Sequence, residues 1–205
     1  MKDNSNKHFW EKTAKIYTFS QEKSNKETYQ ILCEKLKHLF NKEQSVLELA
    51  CGTGQLTTYL AEKSKNWIAT DFSKNMVEET KKRINIKNVS FDVQDATNLT
   101  YENKKFDVVL IANALHIMPE PEKALKEIKR VLKEDGILIA PTFVYDGKIN
   151  KMRLFLMEKI GFISFNKWKS KEYYDFIENN GFKVESEEVI KAKLLPECVL
   201  ICKIK

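Results

Sequence analysis

Glu48, Gly52, Gly54, Asp71 and Asp95 are the residues whose types and spacing could do chemistry in this chain. Val46-Leu47-Glu48-Leu49-Ala50 reads as a short buried strand that breaks into Cys51-Gly52-Thr53-Gly54. Glycine lets the backbone turn tightly and come close to a ligand. A strand, a glycine turn and then a helix is how α/β sheets build cofactor sites. The carboxylate inside the strand sets this turn apart, because a dinucleotide site offers backbone N–H groups to a pyrophosphate. An acid just before the turn suits a cationic or amino-bearing ligand, and an unpaired one would be costly to bury. The third glycine of the dinucleotide fingerprint is missing, with Thr57 in its place, which argues against a nicotinamide cofactor. Asp71, at the end of the next strand, can accept both hydroxyls of a ribose, or cap Ser73-Lys74-Asn75. Asp95 follows the third strand at almost the same interval. It can accept from an adenine amino group, with Phe72 and Ala96 as apolar faces, or be an ordinary surface acid.

These residues need a sheet to bring them together. Short apolar runs alternate with amphipathic ones along the chain. A helix is expected over Glu22 to Phe40, then strand Ser45–Ala50, helix Gln55–Lys63 and strand Trp67–Thr70. Ser73 caps a helix to about Ile84, with Met76, Val77 and Thr80 inward. Strands Val89–Val93 and Phe106–Ala112 follow, then a helix from Pro121 to Leu132. Glu134-Asp135-Gly136 turns into strand Ile137–Thr142. Ile149–Ile160 and Lys171–Asn180 read as helices, the latter stopped by Gly181. Phe182–Ile190 and Glu197–Ile204 read as strands close enough in sequence to pair antiparallel. The expectation is an α/β fold, a doubly wound, mostly parallel seven-stranded sheet with a C-terminal antiparallel strand pair. One domain is expected over 1–205, with a helical lid over 1–41 and a helical insertion over 143–170.

Val46–Thr57, Ile68–Ser73, Val93–Ala96 and Phe106–Met118 resemble the successive motifs of class I S-adenosylmethionine-dependent methyltransferases. The branch most similar is the small-molecule one, which includes quinone-biosynthesis and phospholipid enzymes. The resemblance spans roughly residues 8–142, and the tail fits in topology only. It implies S-adenosylmethionine as cofactor and S-adenosylhomocysteine as product. Carried over, it places Ala50, Cys51, Gly52 and Gly54 at the methionine portion, with Tyr17 matching a tyrosine that often lies near it. Asp71 falls at the ribose, Asp95 with Ala96 at the adenine and Asn113 near the sulfonium. Glu48, Phe72 and Met76 complete the expected cofactor-binding set. Two positions depart from the family's pattern: Glu48, where Asp is usual, and Ala50, where Gly is common. His116 is the evident candidate for a catalytic base, the alternative being a histidine packed under the acceptor loop. Asn113-Ala114-Leu115-His116 lacks the Pro-Pro-aromatic clamp of enzymes that methylate amino groups of DNA bases.

The 205 residues, 42% hydrophobic and 31% charged, suit a globular α/β domain. A net charge of +6 invites a nucleic-acid partner, yet it comes from lysines interspersed with glutamate; the arginines are Arg83, Arg130 and Arg153. That pattern reads as a solvated surface, and no specific nucleic acid is expected. Cys33, Cys51, Cys198 and Cys202 have no metal-ligand spacing and read as buried free thiols. A thiol-dependent metalloid chemistry is the alternative. A polar N-terminus without a signal-peptide core makes a cytoplasmic location the default. The aromatic and Met-rich stretch Phe143–Trp168 suits an apolar acceptor pocket, and its interleaved lysines suit transient contact with an anionic membrane surface. The expected partner is a small, apolar or amphiphilic methyl acceptor. Methylation of RNA or protein, and a non-catalytic S-adenosylmethionine binder, are the rivals.

Overall fold

In the computed structural model, residue 11 and residues 26–147, 164–191 and 195–205 are described. Among them one sheet holds seven strands: β1 (Ser45–Leu49), β2 (Asn66–Asp71), β3 (Val89–Val93), β4 (Phe106–Ile111), β5 (Leu132–Phe143), β6 (Phe182–Ile190) and β7 (Glu197–Ile204). Their spatial order is β3-β2-β1-β4-β5-β7-β6. The first five pair parallel, and β7 runs antiparallel to both β5 and β6. The helices are α1 (Lys26–Leu36), α2 (Gln55–Leu60), α3 (Lys74–Arg83), α4 (Pro121–Val131) and α5 (Ser170–Asn179). This is the α/β architecture that the near-continuous apolar strands imply, since strands covered on both faces have no side to leave polar.

Strand periodicity divides the core. Val46, Trp67, Ala69, Val108, Leu110 and Ile139 pack under Leu32 and Leu36 of α1 and Leu56 and Leu60 of α2. Leu47, Leu49, Val109, Ile111 and Leu138 face the other way, onto Ala124, Leu125 and Ile128 of α4 and Tyr173 and Ile177 of α5. Glu48, two residues after Val46, therefore belongs to the face roofed by α1 and α2.

Most element ends move by one to three residues, and two larger differences have clear causes. α1 stops at Leu36 and tightens into a 3-10 turn, Lys37–Leu39. Phe40 then turns extended (φ −109°, ψ 144°) and lays its ring against Trp67, 5.4 Å between centroids. Glu134-Asp135-Gly136 is a bulge inside β5 rather than a turn before it: Phe106 pairs with Leu132, but Val108 pairs with Ile137. The backbone N–H groups of Lys104 and Lys105 donate to the carbonyls of Arg130 and Val131, pinning the end of α4 beside the start of β4. Strand pairing then begins at the helix end, and the surplus residues loop out. Helix Ile149–Ile160, most of the insertion and most of the lid segment lie outside the described residues.

β1 lies between β2 and β4, so strand order reverses there and the rim beyond the carboxyl ends forms a crevice. Because β7 runs backwards, its first residue, Glu197, sits opposite Phe143 at that same rim. No helix among the described residues is long and apolar enough to cross a membrane.

Candidate cofactor and active site

The turn after β1 is built from left-handed backbone. Ala50 (φ 53°), Gly52 (φ 56°) and Gly54 (φ 81°) all take positive φ. At Gly54 a Cβ would lie 2.6 Å from Ile84 Cδ1 and 2.7 Å from Thr80 Cγ2, so both backbone and space demand glycine. Ala50 has the same conformation with a methyl group attached, which L-residues adopt at a cost of roughly 1 kcal/mol. Glycine, common here in the family it resembles, removes that strain. Ala50→Gly should raise stability by about 0.5–1 kcal/mol, and Tm by about 1–4 °C. Thermal unfolding checks it, and a lowered Tm would refute the strain.

Asp71 ties this turn to β2. Its Oδ2 accepts from the Gly52 N–H at 3.0 Å and its Oδ1 from the Ser73 N–H at 2.9 Å. The carboxylate is buried, 5% exposed, and burial pushes its pKa up to about 6 even though Ser73, Gly52 and Phe72 backbone groups pull it down. The cap of α3 falls to Ser73, whose Oγ accepts from Met76 N–H. Glu48 is buried as well. Its Oε2 accepts from Thr57 Oγ1 and from Trp67 Nε1, the latter at 2.8 Å. Burial, with Asp71 adding a smaller push, brings Glu48 to about 7. Thr57, the residue standing where a third glycine would be, thus has a function as partner to the strand acid.

α3 clamps the turn from the other side. Thr80 Oγ1 donates to Gly52 O at 2.8 Å, and Arg83 donates to Thr53 O at 2.7 Å. Met76 is buried on α3, Phe72 is half-buried after β2, and Cys51 is buried in the turn with its thiol pushed far up by burial. Ala96 is buried after β3, beside Asp95, which is exposed. Asp95 Oδ1 accepts from the Thr97 N–H and hydroxyl, closing a tight turn. The Gln94 N–H donates to Asp71 O, placing Asp95 one strand further out along the same rim. The two strand-end acids Glu48 and Asp71 therefore feel each other, while Asp95 belongs to the edge.

Past β4, Asn113 takes φ 53°, and its N–H donates to Pro141 O at 2.8 Å. Its Nδ2 donates to Glu197 Oε1 at 2.7 Å. Glu197 is 1% exposed, and burial raises it to about 7. His116 lies in the 3-10 turn Leu115–Ile117, buried, with Nδ1 3.0 Å from Thr142 Oγ1 and its ring edge-on to Phe143. Burial lowers its pKa to about 3, which keeps the imidazole neutral and makes it a feeble proton acceptor. Tyr17 lies outside the described residues. A cavity of about 340 Å³ opens at the opposite edge, lined by Ser45, Asn66, Val89 and Phe106 at the strand starts, away from all these groups.

Residues 47–140, from β1 into β5, match the Methyltransferase domain family. The span holds the glycine turn, both buried strand-end acids and Asn113. Over that span the chain is similar to this methyltransferase family. It is 32% identical over 160 residues to a demethylmenaquinone methyltransferase of Staphylococcus epidermidis, covering 73% of this chain and 65% of that protein. It is 41% identical over 97 residues to a demethylmenaquinone methyltransferase of Lactobacillus johnsonii, covering 44% and 40%. The chain thus spans less than two thirds of the length of these relatives. A solved chain from the complex of the Haloferax volcanii Trm112 methyltransferase activator with a methyltransferase superposes with a TM-score of 0.80 at 15% identity. That match covers 95% of this chain and 97% of the other, and it shows the shared fold.

At this candidate site, Thr57, Trp67, Thr80, Arg83 and Glu197 are the partners that the sequence alone did not single out. Thr57 and Thr80 sit at helical spacings facing the turn, a signal open to reading. Trp67, Arg83 and Glu197 act across strands or helices that only the assembled sheet brings together. All four cysteines are buried and free.

Proposed function

We propose that this chain transfers a methyl group from S-adenosylmethionine to a small amphiphilic acceptor of the reduced-quinone type. The observation that carries the reading is Asp71, a buried carboxylate fixed to the Gly52 backbone at the point where strand order reverses. The residues present fit the cofactor. A carboxylate at the end of β2 suits two ribose hydroxyls, and a turn of positive-φ backbone allows close approach of a methionine chain. The half-buried Phe72 and buried Met76 and Ala96 suit an adenine ring, with Asp95 for its amino group. Glu48 stands on the sulfonium side.

The cofactor supplies an electrophilic methyl group on a good leaving group. The chain has to hold it, align the acceptor and exclude water. A quinone is electron-poor, whereas its hydroquinone has an electron-rich ring able to attack a methyl group; similarity to demethylmenaquinone methyltransferases supports that acceptor class. In this reading His116 packs the acceptor loop and is not the base.

Calorimetry with S-adenosylhomocysteine tests the shared premise. The expected result is micromolar-range binding, flat in pH above about 7. Below pH 6 the affinity falls by up to about tenfold per unit, because hydrogen bonds to the ribose need Asp71 ionised. Absence of binding at any pH would refute the assignment.

A further inference from the structure

Among the described residues, the buried side-chain atoms left without a hydrogen-bond partner are Asn113 Oδ1 and Tyr145 Oη. They follow the carboxyl ends of β4 and β5, neighbouring strands at the functional rim. A buried acceptor without a donor costs about 1–3 kcal/mol, so its survival in a well-paired core calls for a reason. The direction in which Asn113 presents that oxygen is fixed from behind. The amide turns its NH₂ toward Glu197 and its oxygen away, the arrangement that an ionised carboxylate requires. The backbone adds rigidity, since Asn113 is held at φ 53° by its N–H bond to Pro141. Glu197 itself is anchored by β7 pairing with both Phe143 and Ile190. A deeply buried acid, 84 positions away in sequence, thus serves to aim one amide.

We propose that Glu197 is a positioning residue for the methyl acceptor, holding Asn113 so that Oδ1 accepts a hydrogen bond from an acceptor hydroxyl. This rests on the methyltransferase reading above and adds the acceptor's chemistry, a phenolic or enolic O–H beside the atom to be methylated. A hydrogen bond taken from that O–H raises electron density on the ring, whose carbon bonds the methyl group as the sulfonium S–CH₃ bond breaks and then gives up its own proton to water. A neutral amide oxygen suits a neutral hydroxyl, whereas an ammonium would draw more from a carboxylate. The Tyr145 hydroxyl offers a second polar contact on the same rim.

The test uses Asn113→Gly, Glu197→Leu and Glu197→Gln beside the wild-type protein. Probes are S-adenosylhomocysteine in calorimetry, and methyl transfer to a short-chain demethylated naphthoquinol and to the same compound with its hydroxyl O-methylated. Glycine tolerates the positive φ at 113, so that variant keeps its backbone. Asn113→Gly and Glu197→Leu should each cut kcat/KM for the hydroxylated probe by about 10–100-fold, chiefly through KM. S-adenosylhomocysteine affinity should stay within about threefold, and Glu197→Gln, whose carbonyl still accepts from Nδ2, should recover activity. The proposal is overturned if Asn113→Gly leaves kcat/KM unchanged, or if it weakens S-adenosylhomocysteine binding instead, which would assign the donor to the cofactor's ammonium. Equal failure of Glu197→Gln and Glu197→Leu also overturns it, as does a wild-type protein that binds S-adenosylhomocysteine but treats both probes alike. A wild-type protein that does not bind S-adenosylhomocysteine at all refutes the methyltransferase reading itself.

Discussion

Replacing Asp71 with alanine should weaken S-adenosylhomocysteine binding by more than about 100-fold, as two hydrogen bonds to a charged group contribute roughly 1.5–3 kcal/mol each. The carboxylate has two tasks, and alanine removes both. It loses the acceptor for the ribose and also releases the Gly52 and Ser73 N–H groups that Asp71 now holds. Asp71→Asn separates the tasks. One amide oxygen keeps a single backbone bond while the NH₂ opposes the other donor, so binding should suffer almost as much with the fold better preserved. Calorimetry reads the affinity, and thermal unfolding shows whether each variant is folded at the assay temperature. Undiminished binding in a folded Asp71→Ala variant would remove the ribose assignment and with it the main support for the methyltransferase reading.

The legibility of this site followed distance along the chain. Glycines 52 and 54, and acids ending β1 and β2, could be recognised because strand, turn and helix follow one another within a few residues, and local sequence dictates them. The mostly parallel seven-stranded sheet with a final antiparallel pair followed from the same alternation, whereas the spatial order 3-2-1-4-5-7-6 came from the assembled sheet. Partners that come from far away could not be seen. Trp67 reaches Glu48 across the β1–β2 pairing, and Arg83 reaches Thr53 from the last turn of α3. Glu197 meets Asn113 only because β7 enters the sheet backwards beside β5. The bulge at Glu134–Gly136 was hidden for a different reason. Acid-acid-glycine is a good turn sequence, and what turned it into part of a strand was the pinning of Lys104 and Lys105 to the end of α4.

Glu48 gives the sharpest case of a sequence position with two demands on it. In the folded chain its pKa is about 7 against an ordinary 4.5, and burial is the leading cause. A raised acid pKa means that the folded state binds the proton more readily than the unfolded one between those values. Stability therefore falls as pH rises through that window, by about 3 kcal/mol in all, and is restored on acidification. Glu48→Gln removes the ionisation but keeps a carbonyl to accept from Trp67 and Thr57. At pH 8 the variant should be more stable than the parent by about 2–3 kcal/mol, on the order of 5–10 °C in Tm, with little difference at pH 5. Glu48→Ala should instead lose stability at both, because it leaves the Trp67 N–H and Thr57 hydroxyl unpaired in a cavity. An acid retained at such a cost points to a ligand that values its charge. The Gln variant should accordingly lose affinity for S-adenosylmethionine, which carries a cationic sulfur, more than for neutral-sulfur S-adenosylhomocysteine. Thermal unfolding at the two pH values and calorimetry with both ligands decide it. A Gln variant less stable than the parent at pH 8 would show that the carboxylate's hydrogen bonds outweigh its burial, and that the strand acid is structural.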